Sequence, residues 1–368
     1  MSKKNSSLKD EIFNVNSINK LAKYIKAVYH PFADKAFVDD VMLELEQFEL
    51  KQRVSLITRT LYKYLPKDYL AAIKILQDSL INQDESGSFI FGSHCEYIST
   101  YGCSKKDLAI SLDTLGEFTK WFTAEFAIRE FLNEYPKETF IKMKLWALSS
   151  NYHQRRLASE GLRPKLPWAK GINFDYKEGV LPLDNLYYDK ERYVTRSVAN
   201  HLNDISKIDH LLVLEILKKW KKSTKQNKNE MSYIISHSLR TSIKKGQEET
   251  LKFLGYNPNP KLKVSNIKIV NNNLSIGETL EFSFNVKALK DENCIIDYLV
   301  IYPTPTKRIS KKVFKIKKAF LKNNEKIMIT KKQTFKLMST KRLYSGTYKL
   351  LIQINGKIFT EEEFHIQT

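Results

Sequence analysis

The sequence predicts a multidomain fold, an all-α solenoid of helical repeats followed by an all-β sandwich. Three observations carry this. Amphipathic helical runs dominate to about residue 254, short β-rich runs follow YNPNPK at 256–261, and helix ends within the first part recur at a spacing typical of two-helix repeats. The 368 residues, 42% of them hydrophobic, suffice for one large or two ordinary cores.

Residues 1–16, which begin MSKKNSSLKDE, are expected to be a polar N-terminal tail. From 17 to 258 the runs INKLAKYIKAVYH, RVSLITRTLYKYL, DYLAAIKILQDSL, TFIKMKLWALSS and LLVLEILKKW read as successive amphipathic helices between short polar breaks. Three helix ends can be superimposed: RRLASEG (155–161), ANHLNDI (199–205) and RTSIKKG (240–246). Ala158, Leu202 and Ile243 then form one column, and Glu160, Asp204 and Lys245 the next but one. Offsets of 44 and 41 residues suit HEAT or armadillo repeats, whose equivalent positions line one face. On that reading two carboxylates and a lysine share a surface; the alternative is chance likeness between short helical segments. From 259 to 368 seven runs, KVSNIKIV, TLEFSFNV, IIDYLVIY, KVFKIKKAF, KIMIT, YKLLIQI and KIFTEEEF, suggest the sandwich. Asn355-Gly356 between the last two is a two-residue hairpin signal.

With 61 Lys+Arg against 41 Asp+Glu, a net +20, a polyanionic partner is expected. From Pro260 onward 21 bases face 9 acids, so the shorter second part is disproportionately basic; a Lys-rich proteome would produce the same excess everywhere. Cys95, Cys103 and Cys294 match no zinc spacing and read as reduced structural thiols, and His94 does not complete a ligand set. No apolar run approaches the ~20 residues of a membrane span, and the N-terminus lacks the apolar centre of a secretory signal, so a cytoplasmic protein is expected.

Carboxylates stand where they are disfavoured. Gly161 reads as a left-handed helix cap, which puts Glu160 in the last helical turn, at the negative end of the macrodipole. An i,i+4 pair with Arg156 is the structural explanation, in the weaker orientation, worth only ~0.2–0.5 kcal/mol. Asp204 ends its helix similarly, and an Asp there also serves to bond the following turn. Projected as a helix, EFTKWFTAEFAIREFL sets Glu125 within its apolar arc, near Arg129. Glu125 is then either half of a buried pair with Arg129 or a pocket carboxylate with a perturbed pKa. Trp168, after Pro167 in a broken basic segment, is either a packing residue or a platform for a sugar or base. Arg155, Arg156, Arg163, Lys165, Arg240, Lys244 and Lys245 are candidate phosphate contacts, with solvated surface charge as the alternative for each.

The stretches RRLASEGLRPKLPWA, TAEFAIREFL, RSVANHLNDISK and SLRTSIKKG resemble the AlkC-type alkylpurine DNA glycosylases over most of the chain. Glu130 and Lys165 depart from that pattern, standing where proline and arginine are expected; lysine weakens a bidentate phosphate contact. The resemblance implies a HEAT-like domain with an immunoglobulin-like domain behind it. It also implies hydrolysis of the N-glycosidic bond of cationic alkylated bases, chiefly 3-methyladenine, with no metal or cofactor and no deep base pocket. By motif position Glu160, Asp204 and Glu125 become the candidate catalytic anions, Trp168 the lesion contact, and Asn200 and Asn203 further DNA contacts. The implied partner is double-stranded DNA carrying alkylated bases, with nucleoid association, no membrane and no obligate protein partner. A non-catalytic solenoid that binds nucleic acid or protein accounts for the charge and repeats alone.

Overall fold

The computed structural model describes residues 7–81, 87–306, 308–336 and 342–367. Packing divides the chain into two compact units, Met1–Ile205 with Lys219–Ser238, and Ser206–Lys218 with Leu239–Thr368.

Among its described residues the first unit is built of helices joined by turns and loops, without strands. Its first long helix, Val15–Val28, starts at Asn14, whose side chain accepts from the Asn16 and Ser17 amides while the Ser17 hydroxyl accepts the Asn14 amide. This reciprocal cap fixes the start, and Ile18, Leu21, Ala22 and Ile25 at helical spacing fill the core. The expected polar tail is shorter than predicted, because Leu8–Ile12 already forms a helical turn. Buried Arg53 holds it, donating to the carbonyls of Lys9 and Phe13 and to Asp10. Residues 1–6 of that tail lie outside the described residues.

Helices Tyr152–Glu160, Arg192–Ile205 and Lys228–Ser238 pack side by side in succession, the ladder expected of a HEAT-like repeat. The ladder corrects one column of the repeat comparison. Lys228–Ser238 is the helix that packs on Arg192–Ile205, whereas Arg240–Lys245 belongs to the second unit, so Lys245 is not the third equivalent of Glu160 and Asp204.

The second unit holds eight strands among the described residues: β1 (Leu262–Ile269), β2 (Asn273–Ser275), β3 (Thr279–Ala288), β4 (Glu292–Tyr302), β5 (Ser310–Leu321), β6 (Lys326–Thr334), β7 (Gly346–Ile354) and β8 (Lys357–Gln367). One sheet runs β1-β3-β6 and the other β2-β8-β7-β4-β5. Phe282, Phe284, Tyr298, Val300, Tyr348, Ile352 and Phe364 interdigitate between them. Strand β2, only three residues long, pairs in parallel with β8 and was too short to register as a run. Asn355 and Gly356 both take positive φ, 47° and 79°, and close the β7–β8 hairpin as the sequence predicts.

Secondary structure changes from helix to strand between Phe253 and Leu262, but the second unit begins earlier in packing terms. The end of helix Arg240–Lys245 lies against the β7–β8 turn, so close that a Cβ on Gly246 would sit 2.6 Å from the Gly356 Cα. Gln353 Nε2 donates to the Lys244 carbonyl at 3.3 Å, and Asn355 Nδ2 to the Asn257 carbonyl at 3.0 Å. Among the described residues no helix is long and apolar enough to cross a membrane.

Candidate active site

Helix Tyr152–Glu160 begins at Asn151, whose side chain accepts the His153 amide, and ends in a region dense with ionisable groups. Gly161 does not take the expected left-handed conformation. Its φ is −64°, and the glycine is required for space, since a Cβ would lie 2.6 Å from Met143 Cε and 2.8 Å from Ile128 Cγ2. The chain thus continues past Glu160 in a right-handed turn, carrying Arg163 back over the helix end.

Arg163 then joins the two predicted carboxylates. Its Nη1 donates to Glu160 Oε1, and its Nε and Nη2 each lie 2.8 Å from Asp204 Oδ2. All three are nearly excluded from water, with 7% exposure at Arg163, 4% at Glu160 and 3% at Asp204. Glu160 Oε2 accepts from Ser197 Oγ at 2.6 Å, so both oxygens are satisfied, as a buried carboxylate requires. Arg156 also approaches Glu160, at 3.7 Å, but the i,i+4 pair is the lesser of its two arginine contacts.

Glu125 corrects two expectations. It lies in a turn between helices Leu108–Phe118 and Ile128–Glu134, so the helical projection does not apply. Its partner is Arg156, at 2.6 Å, with Thr123 Oγ1 donating to the same carboxylate oxygen at 2.8 Å. Arg129 instead donates to three backbone carbonyls, Gly161 at 3.1 Å, Arg163 at 3.0 Å and Lys170 at 2.6 Å. It is the buried frame on which the 161–170 segment is hung.

These contacts set the electrostatics. Burial works against charge on Arg156 and Arg163, but the carboxylates beside them outweigh it and hold both guanidiniums above their usual pKa. Arg129 is brought down to about 10 by burial and by the charge of Arg163. His201, also buried, falls to about 3 for the same first reason and is neutral, so its Nδ1–H donates to the Ser159 carbonyl at 3.0 Å. That bond fixes the residue before Glu160.

A cavity of about 850 Å³ opens beside the cluster. Glu125, Glu160 and Arg163 reach its wall, as do Tyr193 and Trp168, while Asp204, Arg156 and Arg129 are not part of the lining. The cluster therefore shows the cavity two anions and one cation. A cavity of this size is within the range that takes small ligands. Trp168 is 81% exposed at the rim and takes φ +62°, a left-handed conformation that costs a bulky residue roughly 1–2 kcal/mol. Across the cluster, the Arg156 guanidinium lies 4.7 Å from the Tyr193 ring centroid.

The predicted phosphate contacts divide. Arg155 pairs with Asp189, and Arg156 and Arg163 belong to the cluster, so these three hold carboxylates. Lys165 is exposed, Asn200 bonds His237 at 2.9 Å, and Asn203 is buried. Arg240, Lys244 and Lys245 lie in the second unit, where both lysines are exposed. Glu130, one of the two departures from the motif, pairs with Lys170 at 2.7 Å. Sequence reasoning missed Ser197, His201, Tyr193 and Lys51, and it gave Arg129 a carboxylate partner in place of the three carbonyls. For His201 the signal was available, a polar residue on an otherwise apolar helix face.

Repeat helices carrying a cavity with a buried carboxylate–arginine network, followed by a sandwich, define a helical-repeat protein with an immunoglobulin-like domain. Residues 263–368 match the family model described as "Uncharacterised protein YhaZ, C-terminal Ig-like domain". Over 360 residues the chain is 33% identical to "Uncharacterized protein YhaZ" of Bacillus subtilis (strain 168), covering 97% of this chain and 98% of that one. The structure of Pseudomonas fluorescens alkylpurine DNA glycosylase AlkC, bound to DNA containing an abasic site analog, superimposes with a TM-score of 0.90 at 30% identity, covering 99% of this chain and all of that one. The chain belongs to the AlkC-type alkylpurine DNA glycosylase family.

Proposed function

We propose that this protein is a monofunctional DNA glycosylase that hydrolyses the N-glycosidic bond of cationic alkylated bases, chiefly 3-methyladenine, in double-stranded DNA. The observation that carries the reading is that Glu160 and Glu125, both buried and each held by an arginine, reach the wall of a cavity rimmed by an exposed Trp168. Family membership and the DNA-bound state of the Pseudomonas protein support the same substrate class.

The chemistry suits the residues. A methylated adenine already carries the positive charge and departs as a neutral base when its bond to the anomeric carbon breaks, so little acid catalysis is needed. Positive charge then builds on the deoxyribose. Glu160 and Glu125 face that charge as fixed anions in a poorly solvated site, where such interactions are strongest. A water attacks the anomeric carbon, and a carboxylate of the cluster takes its proton. Asp204 acts through Arg163, keeping the guanidinium from closing both of its arms on Glu160. Trp168 presses against the lesion nucleotide, and exposed cations such as Lys165 contact phosphates.

A second reading rests on the same ion pairs. A fully satisfied network is also what a binding scaffold with a structural polar core would contain. Incubating the protein with methylated duplex DNA decides between them: the proposal predicts release of free 3-methyladenine above the buffer rate. A folded sample that binds the duplex and releases none would establish the scaffold.

A further inference from the structure

Trp168 adopts a costly backbone conformation at the rim of the cavity with its indole in solvent, so something must hold it there. Two cations approach the backbone around it. Arg129 grips the Gly161, Arg163 and Lys170 carbonyls from the buried side. On the other side, Lys51 Nζ donates to the carbonyl of Trp168 itself at 2.7 Å, a contact spanning 117 residues of sequence. The same ammonium lies 4.6 Å from the Phe126 ring centroid, next in sequence to Glu125. Lys51 also sits on a fixed base. It lies in the first turn of helix Leu50–Tyr64, which is capped reciprocally by Glu49 and Gln52 and anchored two residues later by buried Arg53.

We propose that Lys51 is a positioning residue for the glycosylase reaction, holding Trp168 in its left-handed conformation so that the indole is presented to the lesion nucleotide before DNA arrives. The inference rests on the role given to Trp168 above. A side chain this exposed is free to change without loss of the fold, yet its contact is with the one bulky residue held at positive φ beside the carboxylates. Misplacing a substrate-facing group by an ångström slows a reaction about a hundredfold, so loss of the clamp is expected to be felt in rate rather than in binding.

The test uses the full chain carrying K51M, K51R, W168A and the K51M/W168A pair. Without DNA, trypsin is expected to cleave K51M faster than wild type after Lys165 and Lys170, since the 164–171 segment is released on one side. In single-turnover excision K51M is expected to be about tenfold to a hundredfold slower than wild type, with unchanged affinity for abasic duplex. K51R should recover most of the rate, and K51M should cost nothing further in the W168A background. Unchanged tryptic cleavage overturns the clamp, as does faster cleavage with an unaltered rate. A rate loss that adds to that of W168A, together with weaker binding and a salt slope lower by about one, would make Lys51 a phosphate contact instead. Because cleavage is read without DNA, it judges the clamp even if wild type excises nothing, an outcome that would sink only the glycosylase reading.

Discussion

The helical unit and the sandwich both bury carboxylates, and the helical cluster differs sharply from Asp297 of the sandwich in how it treats them. Glu125, Glu160 and Asp204 each have a guanidinium within hydrogen-bond reach. Asp297, on β4 in the sandwich, is equally buried, but the charges of Lys315 and Lys244 do not offset the burial, and its pKa is pushed up to about 6. Three anions kept beside two arginines in one place are more than packing needs, because replacing such groups by apolar residues is often neutral or stabilising. On the proposed function, the helical cluster is the region shaped by chemistry.

Breaking the cluster should give the largest stability effect. R163M leaves Glu160 and Asp204 buried without their shared cation, and a loss of about 3–5 kcal/mol is expected in urea unfolding of the helical unit. Next comes the glycine contact inside the second unit. G356A puts a Cβ 2.2 Å from the Gly246 Cα at a backbone φ of +79°, and should destabilise that unit by roughly 1–3 kcal/mol.

The Asp297 comparison is sharpened by pH. A carboxyl whose folded pKa is raised from 3.8 to about 6 contributes stability that is fully present below pH 4 and lost as pH rises through 6. D297N, neutral at every pH, should therefore stabilise the sandwich by on the order of 2–3 kcal/mol at pH 8 and show no such gain at pH 4. Denaturant midpoints at the two pH values check the sign. The smallest effect is expected from W168G, which relieves the left-handed strain but frees the unfolded chain, for a net gain under about 1 kcal/mol. Excision by the same variant should fall, separating strain kept for function from strain kept for folding.

Much of this was legible in the sequence. The helix-to-strand change and the Asn355-Gly356 hairpin follow from local pattern, which turns and periodicity express directly. Glu160 and Asp204 could be paired because equivalent positions of stacked repeats face one way. What sequence missed was the identity of the cations. Arg163 reaches Asp204 across 41 residues and Arg129 reaches carbonyls across 32 to 41, contacts that no helical wheel encodes. Gly161 misled for a related reason: glycine signals either positive φ or lack of space, and only the neighbours Met143 and Ile128 tell which.

The central claim is that Glu160 serves the reaction rather than the fold. Its most direct test is single-turnover excision of 3-methyladenine by E160Q beside its affinity for abasic duplex DNA. The account predicts a rate at least about a hundredfold below wild type with affinity equal or higher, since an anion near phosphates has been removed. A variant that is folded, binds as wild type does and excises at the wild-type rate would contradict it.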